Sequence, residues 1–244
     1  MVIQSHIKEF QKKGVVVLRN FLSKNEVEKL KLKLDDYISK NKDKLKGKDI
    51  NFINGEVNSL HKIRSKYFNE FCRSKKVLNT SKKLLNVKPK FKHCEYFAKP
   101  AKIGLASPMH QDNYYWNLKN PDAITMWIAL TPATKKNGTL EYLVGSHKLG
   151  KVPHEASYAP GSSQKVKNLR KYSKFKKRSF NLKIGDCLIH HCEIIHGSQP
   201  NKSNNPRKGF TIQIMDKNTT IDKAAFAKYQ LSLKKQIKKR SKLS

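Results

Sequence analysis

The sequence predicts an α+β fold with a mainly β core, a β-sandwich or jelly roll with N-terminal helices packed on one face. Three observations carry this. Helical periodicity is confined to the first 88 residues and the C-terminal end. From Pro89 onward, short apolar or alternating runs recur at 90–98, 123–131, 139–144, 179–184, 187–191 and 208–215. Turn signals separate them, among them Asn137-Gly138, Gly145-Ser146 and Gly185-Asp186.

Residues 2–13 read as a short helix stopped by Gly14, and Val15-Val16-Val17-Leu18 as a buried strand. Ser23 followed by Glu26 is a capping-box pattern. Behind it, Val27, Leu30, Leu34 and Ile38 stand at helical spacing and predict a helix of about four or five turns. Residues 42–55 read as a polar loop and about 67–86 as further helix. The segment 151–178 carries nine Lys/Arg and one acid with little periodicity, and reads as a long loop or lid. Residues 217–244 carry the same count around Ile221, Ala225, Tyr229, Leu231 and Leu233, suggesting a basic terminal helix or tail. The 244 residues suit one domain (1–244), divided into a helical part at 1–88, a β core at 89–216 and the tail at 217–244.

Composition excludes other classes. With 37% hydrophobic residues, 11 Phe and 9 Tyr, the chain can build a core, so disorder is a poor reading despite a net charge of +34. The N-terminus lacks a secretory h-region and no apolar stretch is long enough to span a bilayer, so a cytoplasmic protein is expected. Cys72, Cys94, Cys187 and Cys192 form no C-x-x-C pair, which leaves reduced, buried thiols. Charge on this scale suggests an anionic partner, yet the basic residues are 45 Lys and only 7 Arg. Scarce Arg counts against a dedicated nucleic-acid reader, and the 19 Asn and many Ile fit a coding bias as well as they fit a function.

The most informative stretch is Met109-His110-Gln111-Asp112-Asn113-Tyr114-Tyr115-Trp116. In an extended strand, residues i and i+2 share a face, so His110 and Asp112 can present an imidazole and a carboxylate to one metal. A second histidine would complete the two-His, one-carboxylate face of non-haem Fe(II) oxygenases, which leaves coordination positions open. His-x-Asp alone is weak, and its ordinary reading is a surface turn with a hydrogen-bonded pair. Downstream, His190, His191 and His196 stand close together, and on the residues alone any of them could be the distal ligand.

Three blocks in order carry a resemblance to a known family: His110-Gln111-Asp112, then Asn137-Gly138 through Gly145-Ser146-His147-Lys148, then His196-Gly197-Ser198-Gln199-Pro200-Asn201 with Arg207 eleven residues after the histidine. Over about 89–216 the chain resembles the phytanoyl-CoA dioxygenase family of Fe(II)- and 2-oxoglutarate-dependent oxygenases, and the N-terminal helices fit too. The resemblance implies a double-stranded β-helix, the cupin-like jelly roll, and the cofactors Fe(II), 2-oxoglutarate and O2. It implies that His110, Asp112 and His196 bind the metal and serve as the catalytic centre. Arg207 would pair with the distal carboxylate of 2-oxoglutarate, for which a planar guanidinium is well suited. Ser198 would add a hydroxyl hydrogen bond, and Trp127 matches a family tryptophan lining the cosubstrate pocket. The implied reaction is hydroxylation of a small organic substrate with succinate and CO2 as co-products. Related halogenases replace the carboxylate with a small residue, so Asp112 favours hydroxylation.

Gln111, Asn113, Tyr115 and Trp116 are the expected substrate contacts, with Tyr114 beside them; packing beneath the helices is an equal reading. A site lined by Lys99 or Lys102 under a lysine-rich lid would suit an anionic substrate such as a carboxylate, phosphonate or CoA thioester. Glu141 and Tyr142 depart from many relatives, which leaves the substrate class open. Two rival functions remain at this point, a nucleic-acid-associated protein on a jelly-roll scaffold and a non-catalytic binding protein. Oligomeric state is not readable from the sequence.

Overall fold

The computed structural model describes residues 2–46, 49–159 and 162–240. The last four residues of the expected tail, 241–244, therefore lie outside the described residues, as do 47–48 of the expected polar loop and 160–161 of the expected lid. The elements are α1 (Gln4–Lys13), β1 (Val15–Leu18), α2 (Lys24–Leu45), β2 (Ile50–Ile53), β3 (Glu56–Leu60), α3 (Lys66–Cys72) and α4 (Lys75–Leu85), followed by β4 (Pro89–Lys99) and β5 (Ser107–His110). Then come α5 (Asp112–Trp116), β6 (Ala123–Ala129), β7 (Leu140–Leu143), β8 (His154–Ala159), β9 (Ser162–Val166), β10 (Lys177–Ser179), β11 (Cys187–His191), β12 (His196–Ser198), β13 (Arg207–Asp216) and α6 (Lys223–Arg240).

Two antiparallel sheets build the jelly roll. The major sheet has the order β1-β11-β6-β13-β4-β3-β2 and the minor sheet β10-β7-β12-β5, while β8 and β9 form a separate hairpin. Period-two alternation sorts the major sheet's side chains. On β6, Ile124, Met126 and Ile128 join Phe210, Ile212 and Ile214 of β13 in a cluster with Phe10 of α1, Val27, Leu30 and Leu34 of α2, Phe68 of α3 and Val77 of α4. The helices thus cover the outer face, as the sequence predicts. The alternate residues Trp127 and Ala129 turn inward and pack with Tyr142, Leu188 and Ile194 between the sheets.

Local signals explain the framework. Ser23 Oγ accepts from Glu26 N at 3.2 Å and Glu26 Oε2 accepts from Ser23 N at 2.8 Å, so the capping box forms as expected. Asp186, 1% exposed, gathers Arg19 Nη1, Asn20 N and Lys183 N at 2.6, 3.0 and 2.8 Å, which ties the end of β1 to the turn before β11. All four cysteines are free and buried.

Three segments differ from expectation. The helix after Ser23 runs 22 residues, which is about six turns, and the supposed loop behind it contains β2, the first strand of a hairpin paired with β3. Residues 66–85 form two helices, α3 and α4, with Ser74 at the N-cap position of the second. The expected long loop at 151–178 holds the β8–β9 hairpin, a 3-10 turn at Leu169–Tyr172 and the start of β10. The strands β8, β9 and β10 carry Ser, Gln, Lys and Arg in place of an apolar alternation, so periodicity could not reveal them. No helix among the described residues is long and apolar enough to cross a membrane.

Candidate metal centre

His110 ends β5, Gln111 continues extended (φ −118°, ψ 136°), and Asp112 opens the five-residue helix α5. The expected geometry for His-x-Asp was one continuous strand; the structure corrects this, since the carboxylate comes from the first turn of a helix. In the minor sheet His196 is the register partner of His110 on one side and of Tyr142 on the other. That row brings the rings of His110 and His196 to 4.4 Å between centroids. Asp112 Oδ1 lies 3.8 Å from His110 Nε2 and 3.6 Å from His196 Nε2. One ligand atom from each of the three residues lies within 4.8 Å of the others, which suits a single ion.

Both imidazoles are held in the same way. His110 Nδ1 is 2.7 Å from the Pro108 carbonyl and His196 Nδ1 is 3.0 Å from the Ile194 carbonyl, in each case two residues back along the chain. A carbonyl only accepts, so each Nδ1 carries the proton and each Nε2 presents a lone pair toward Asp112. Ligating histidines are typically oriented by such a contact. Burial would raise the Asp112 carboxyl, but the imidazoles of His196, His190 and His110 hold it below the usual carboxylate range. Burial, with the neighbouring His190 and His110, keeps His196 well below the usual imidazole range. His110 is lowered too, burial outweighing the opposing pull of Asp112. The result is a set of two neutral nitrogens and one carboxylate, the donor chemistry of a divalent transition-metal site.

A second feature lies along the inner face. Arg207, at the start of β13, reaches back over Gly209, and its guanidinium carbon stands 5.1 Å from the Trp127 ring. A Cβ on Gly209 would come within 2.0 Å of that ring, so only glycine permits the approach. Arg207 is 4% exposed, its Nε is buried without a hydrogen-bond partner, and no carboxylate among the described residues pairs with it. Burial pushes its pKa down to about 10. Ser198 Oγ is likewise buried and unpartnered. An unsatisfied guanidinium and hydroxyl at one end of a barrel fit a ligand carboxylate.

The structure distributes the expected substrate residues differently. Tyr115 stands edge-on to His110 at 5.5 Å between centroids, and its hydroxyl meets Ser162 Oγ and the Gln164 backbone. Gln111 is fully buried, donating to the Gly150 and Glu193 carbonyls and accepting from Val152 N. Asn113 donates to Glu193 Oε1 and accepts from Leu118 N. Both amides are spent on the protein's own loops. Trp116 packs with Leu118, Ala123 and Cys192, with the Lys92 ammonium 5.0 Å over its ring. Lys99 is the register partner of Arg207, buried, and donates to the Leu105 carbonyl. Burial and the nearby Arg207 push its pKa down to about 6.

Sequence reasoning gave His190 only as a rival ligand and missed Thr125, Glu95, His61, Gln213 and the place of Tyr229. His190 Nε2 and Thr125 Oγ1 lie 3.1 and 2.6 Å from Asp112 Oδ2. On the same inner face, Glu95 accepts from His61 Nδ1 and Gln213 Nε2, each at 2.6 Å. Burial alone would raise Glu95 and lower His61, yet their mutual contact lowers the first and raises the second. Tyr229 of α6 meets Tyr115 edge-on at 5.7 Å, so the terminal helix roofs this region. None of these carries a local motif; only strand register brings them together. His191 and His147 pair with each other away from the cluster, and His154 Nε2 accepts from Gln111 N.

Two sheets closed around a His, Asp and His cluster, with an unpaired guanidinium along the barrel, define a jelly-roll oxygenase. The chain belongs to the phytanoyl-CoA dioxygenase (PhyH) family, whose model matches residues 10–209. Among curated proteins it is similar to a probable phytanoyl-CoA dioxygenase of Caenorhabditis elegans, 26% identical over 227 residues that cover 83% of this chain and 72% of the relative. It is also similar to a phytanoyl-CoA dioxygenase domain-containing protein 1 homolog of Dictyostelium discoideum, 25% identical, covering 87% and 91%. Among solved structures it shares the fold of EctD from S. alaskensis with bound Fe (TM-score 0.74, 19% identity, 88% and 77% covered). The α-ketoglutarate-dependent carbocyclase SnoK gives a TM-score of 0.73 at 19% identity, covering 90% and 86%. Membership makes the chain a 2-oxoglutarate-dependent dioxygenase of the phytanoyl-CoA dioxygenase type, with Fe(II), 2-oxoglutarate and O2 as its cofactors.

Proposed function

We propose that this protein hydroxylates a small organic substrate, with His110, Asp112 and His196 holding Fe(II) and Arg207, Ser198 and Trp127 holding 2-oxoglutarate. The balance is substrate C–H plus O2 plus 2-oxoglutarate giving substrate C–OH, succinate and CO2. Bound Fe(II) and 2-oxoglutarate supply the activation of O2. The chain supplies position: two tautomerically preset imidazoles, one carboxylate, and a guanidinium over Trp127 that takes the distal carboxylate of the cosubstrate.

The observation that carries this reading is the backbone anchoring of both Nδ1 atoms, which leaves two Nε2 lone pairs facing one carboxylate oxygen. His110→Ala or His196→Ala is expected to abolish iron-dependent succinate formation, measured with 2-oxoglutarate and Fe(II) under air. Full turnover by both variants would sink the ligand assignment.

For the substrate, we infer an anionic group meeting Lys92 in place of the expected Lys99. Lys92 lies over Trp116, on the α5 side of the metal cluster. Burial pushes its pKa down to about 8 against the pull of Glu95 and Asp112, and an incoming anion would raise it again. A substrate screen across ionic strength tests this: a neutral best substrate whose turnover ignores salt would overturn it. The family match does not favour the nucleic-acid and non-catalytic alternatives.

A further inference from the structure

Asp112 uses its two oxygens differently. Oδ1 faces the Nε2 atoms of His110 and His196, whereas Oδ2 accepts from Thr125 Oγ1 at 2.6 Å and lies 3.1 Å from His190 Nε2. His190 and Thr125 are register partners on β11 and β6, so one row of the major sheet delivers both groups to the same oxygen. An ionised carboxylate only accepts, so His190 must donate through Nε2. Its other nitrogen, Nδ1, is 3.0 Å from Tyr142 Oη, and a neutral ring protonated at Nε2 accepts there from the phenol. Tyr142 is fully buried and His190 is 2% exposed, so the chain from Tyr142 through His190 to Asp112 is shielded from water.

The tautomer separates His190 from the ligands. In His110 and His196 a backbone carbonyl holds Nδ1–H and frees Nε2; in His190 a phenol serves Nδ1 and Nε2 is spent on the carboxylate. His190 is also outside the set of mutually close ligand atoms, although its ring lies only 4.4 Å from that of His196. It therefore occupies the place of a supporting donor beside the ligand sphere.

We propose that His190 is a positioning residue that, with Thr125, ties down Oδ2 so that Asp112 offers the metal Oδ1 alone. A carboxylate free to rotate or to bind through both oxygens would take up a coordination position that the oxygenase needs open. This rests on the reading of His110, Asp112 and His196 as the metal ligands.

The test uses the full chain and Co(II), a spectroscopically visible surrogate, titrated calorimetrically and by its visible absorption. His190→Leu is expected to weaken Co(II) binding by about 10–100-fold and to alter the visible band. His190→Gln, whose amide N–H can reach the same oxygen, is expected to restore affinity to within about threefold of wild type. His110→Ala separates the two claims. If it binds Co(II) like wild type, the ligand reading fails; if it is crippled while His190→Leu binds normally, or if the Gln variant gives no rescue, the positioning role fails. Should His190→Leu not fold, long-range 1H–15N spectra of the wild-type protein decide: the His190 proton is expected on Nε2, and a proton on Nδ1 alone overturns the proposal.

Discussion

Arg207 is a guanidinium removed from water with no acid beside it, a state that costs several kcal/mol unless an anion completes it. Its lowered pKa has the same origin in burial. Arg207→Met is therefore expected to raise the KM for 2-oxoglutarate by about 10–100-fold, the loss of one or two charge-assisted hydrogen bonds. Co(II) affinity should hold, because the side chain touches none of the three ligands. Ser198→Ala should cost about threefold to tenfold, as a single neutral donor does. Succinate formation across a 2-oxoglutarate series checks both, and an unchanged KM in the Met variant would move the cosubstrate anchor elsewhere. At this scale spacing brings out only the pairing of His110 with Asp112, while His196 and Arg207 enter through the family resemblance. The sequence is silent where the role depends on a distant carbonyl. Gln111 reads as a pocket residue until the loops at 150–152 and 193 close around its amide. Nor can spacing choose between His190 and His196, because the choice lies in what each Nδ1 meets.

Elements with strong periodicity are equally legible. The apolar runs of β4, β6, β11 and β13 are the central strands of the major sheet, and the Ser23 capping box starts α2 where expected. The short hairpins β2–β3 and β8–β9 are not, since their place is set by neighbours: Ser59 pairs with Phe97 of β4, and Tyr158 N of β8 donates to Gln236 of α6. Helix α6 is likewise amphipathic only weakly, yet it closes the roof through Tyr229 and a buried Gln236. Asp222 caps it, accepting from Ala225 N at 3.0 Å. Loss of such a cap costs about 1 kcal/mol, which is about a fivefold change in local opening. Asp222→Ala should therefore speed hydrogen exchange in α6 by that factor while amides of β13 keep their protection. Equal acceleration in both would mean that α6 opens only with the whole domain.

For the whole molecule, the net charge of +34 understates the imbalance at the surface. Four of the 18 acids, Asp112, Glu95, Asp186 and Glu193, are largely inside, so they offset surface lysines only weakly. Self-repulsion of this kind destabilises the folded state and is screened by salt, the Debye length falling from about 30 Å at 0.01 M to about 8 Å at 0.15 M. Acid adds to it from within. Burial holds His93, His154 and His191 each at about 4, against the usual 6.5. The unfolded chain binds these protons first, so stability falls as pH drops from about 6.5 toward 4, by up to about 1.4 kcal/mol per pH unit for each histidine. His61 works in the opposite direction: its pKa is raised by Glu95, so its contribution is present in full below 6.5 and is lost as pH rises through its folded value. One histidine of that sign offsets only part of three of the other. The metal-free protein should therefore melt several degrees lower at pH 5 than at pH 7. The drop should be smaller at about 0.02 M than at about 0.3 M salt, because the unfolded chain is already positive and unscreened repulsion holds back its proton uptake. Calorimetric melts at the two pH values and two salt concentrations check this. A melting temperature that is flat between pH 7 and 5 would mean that water reaches those three rings in the folded protein.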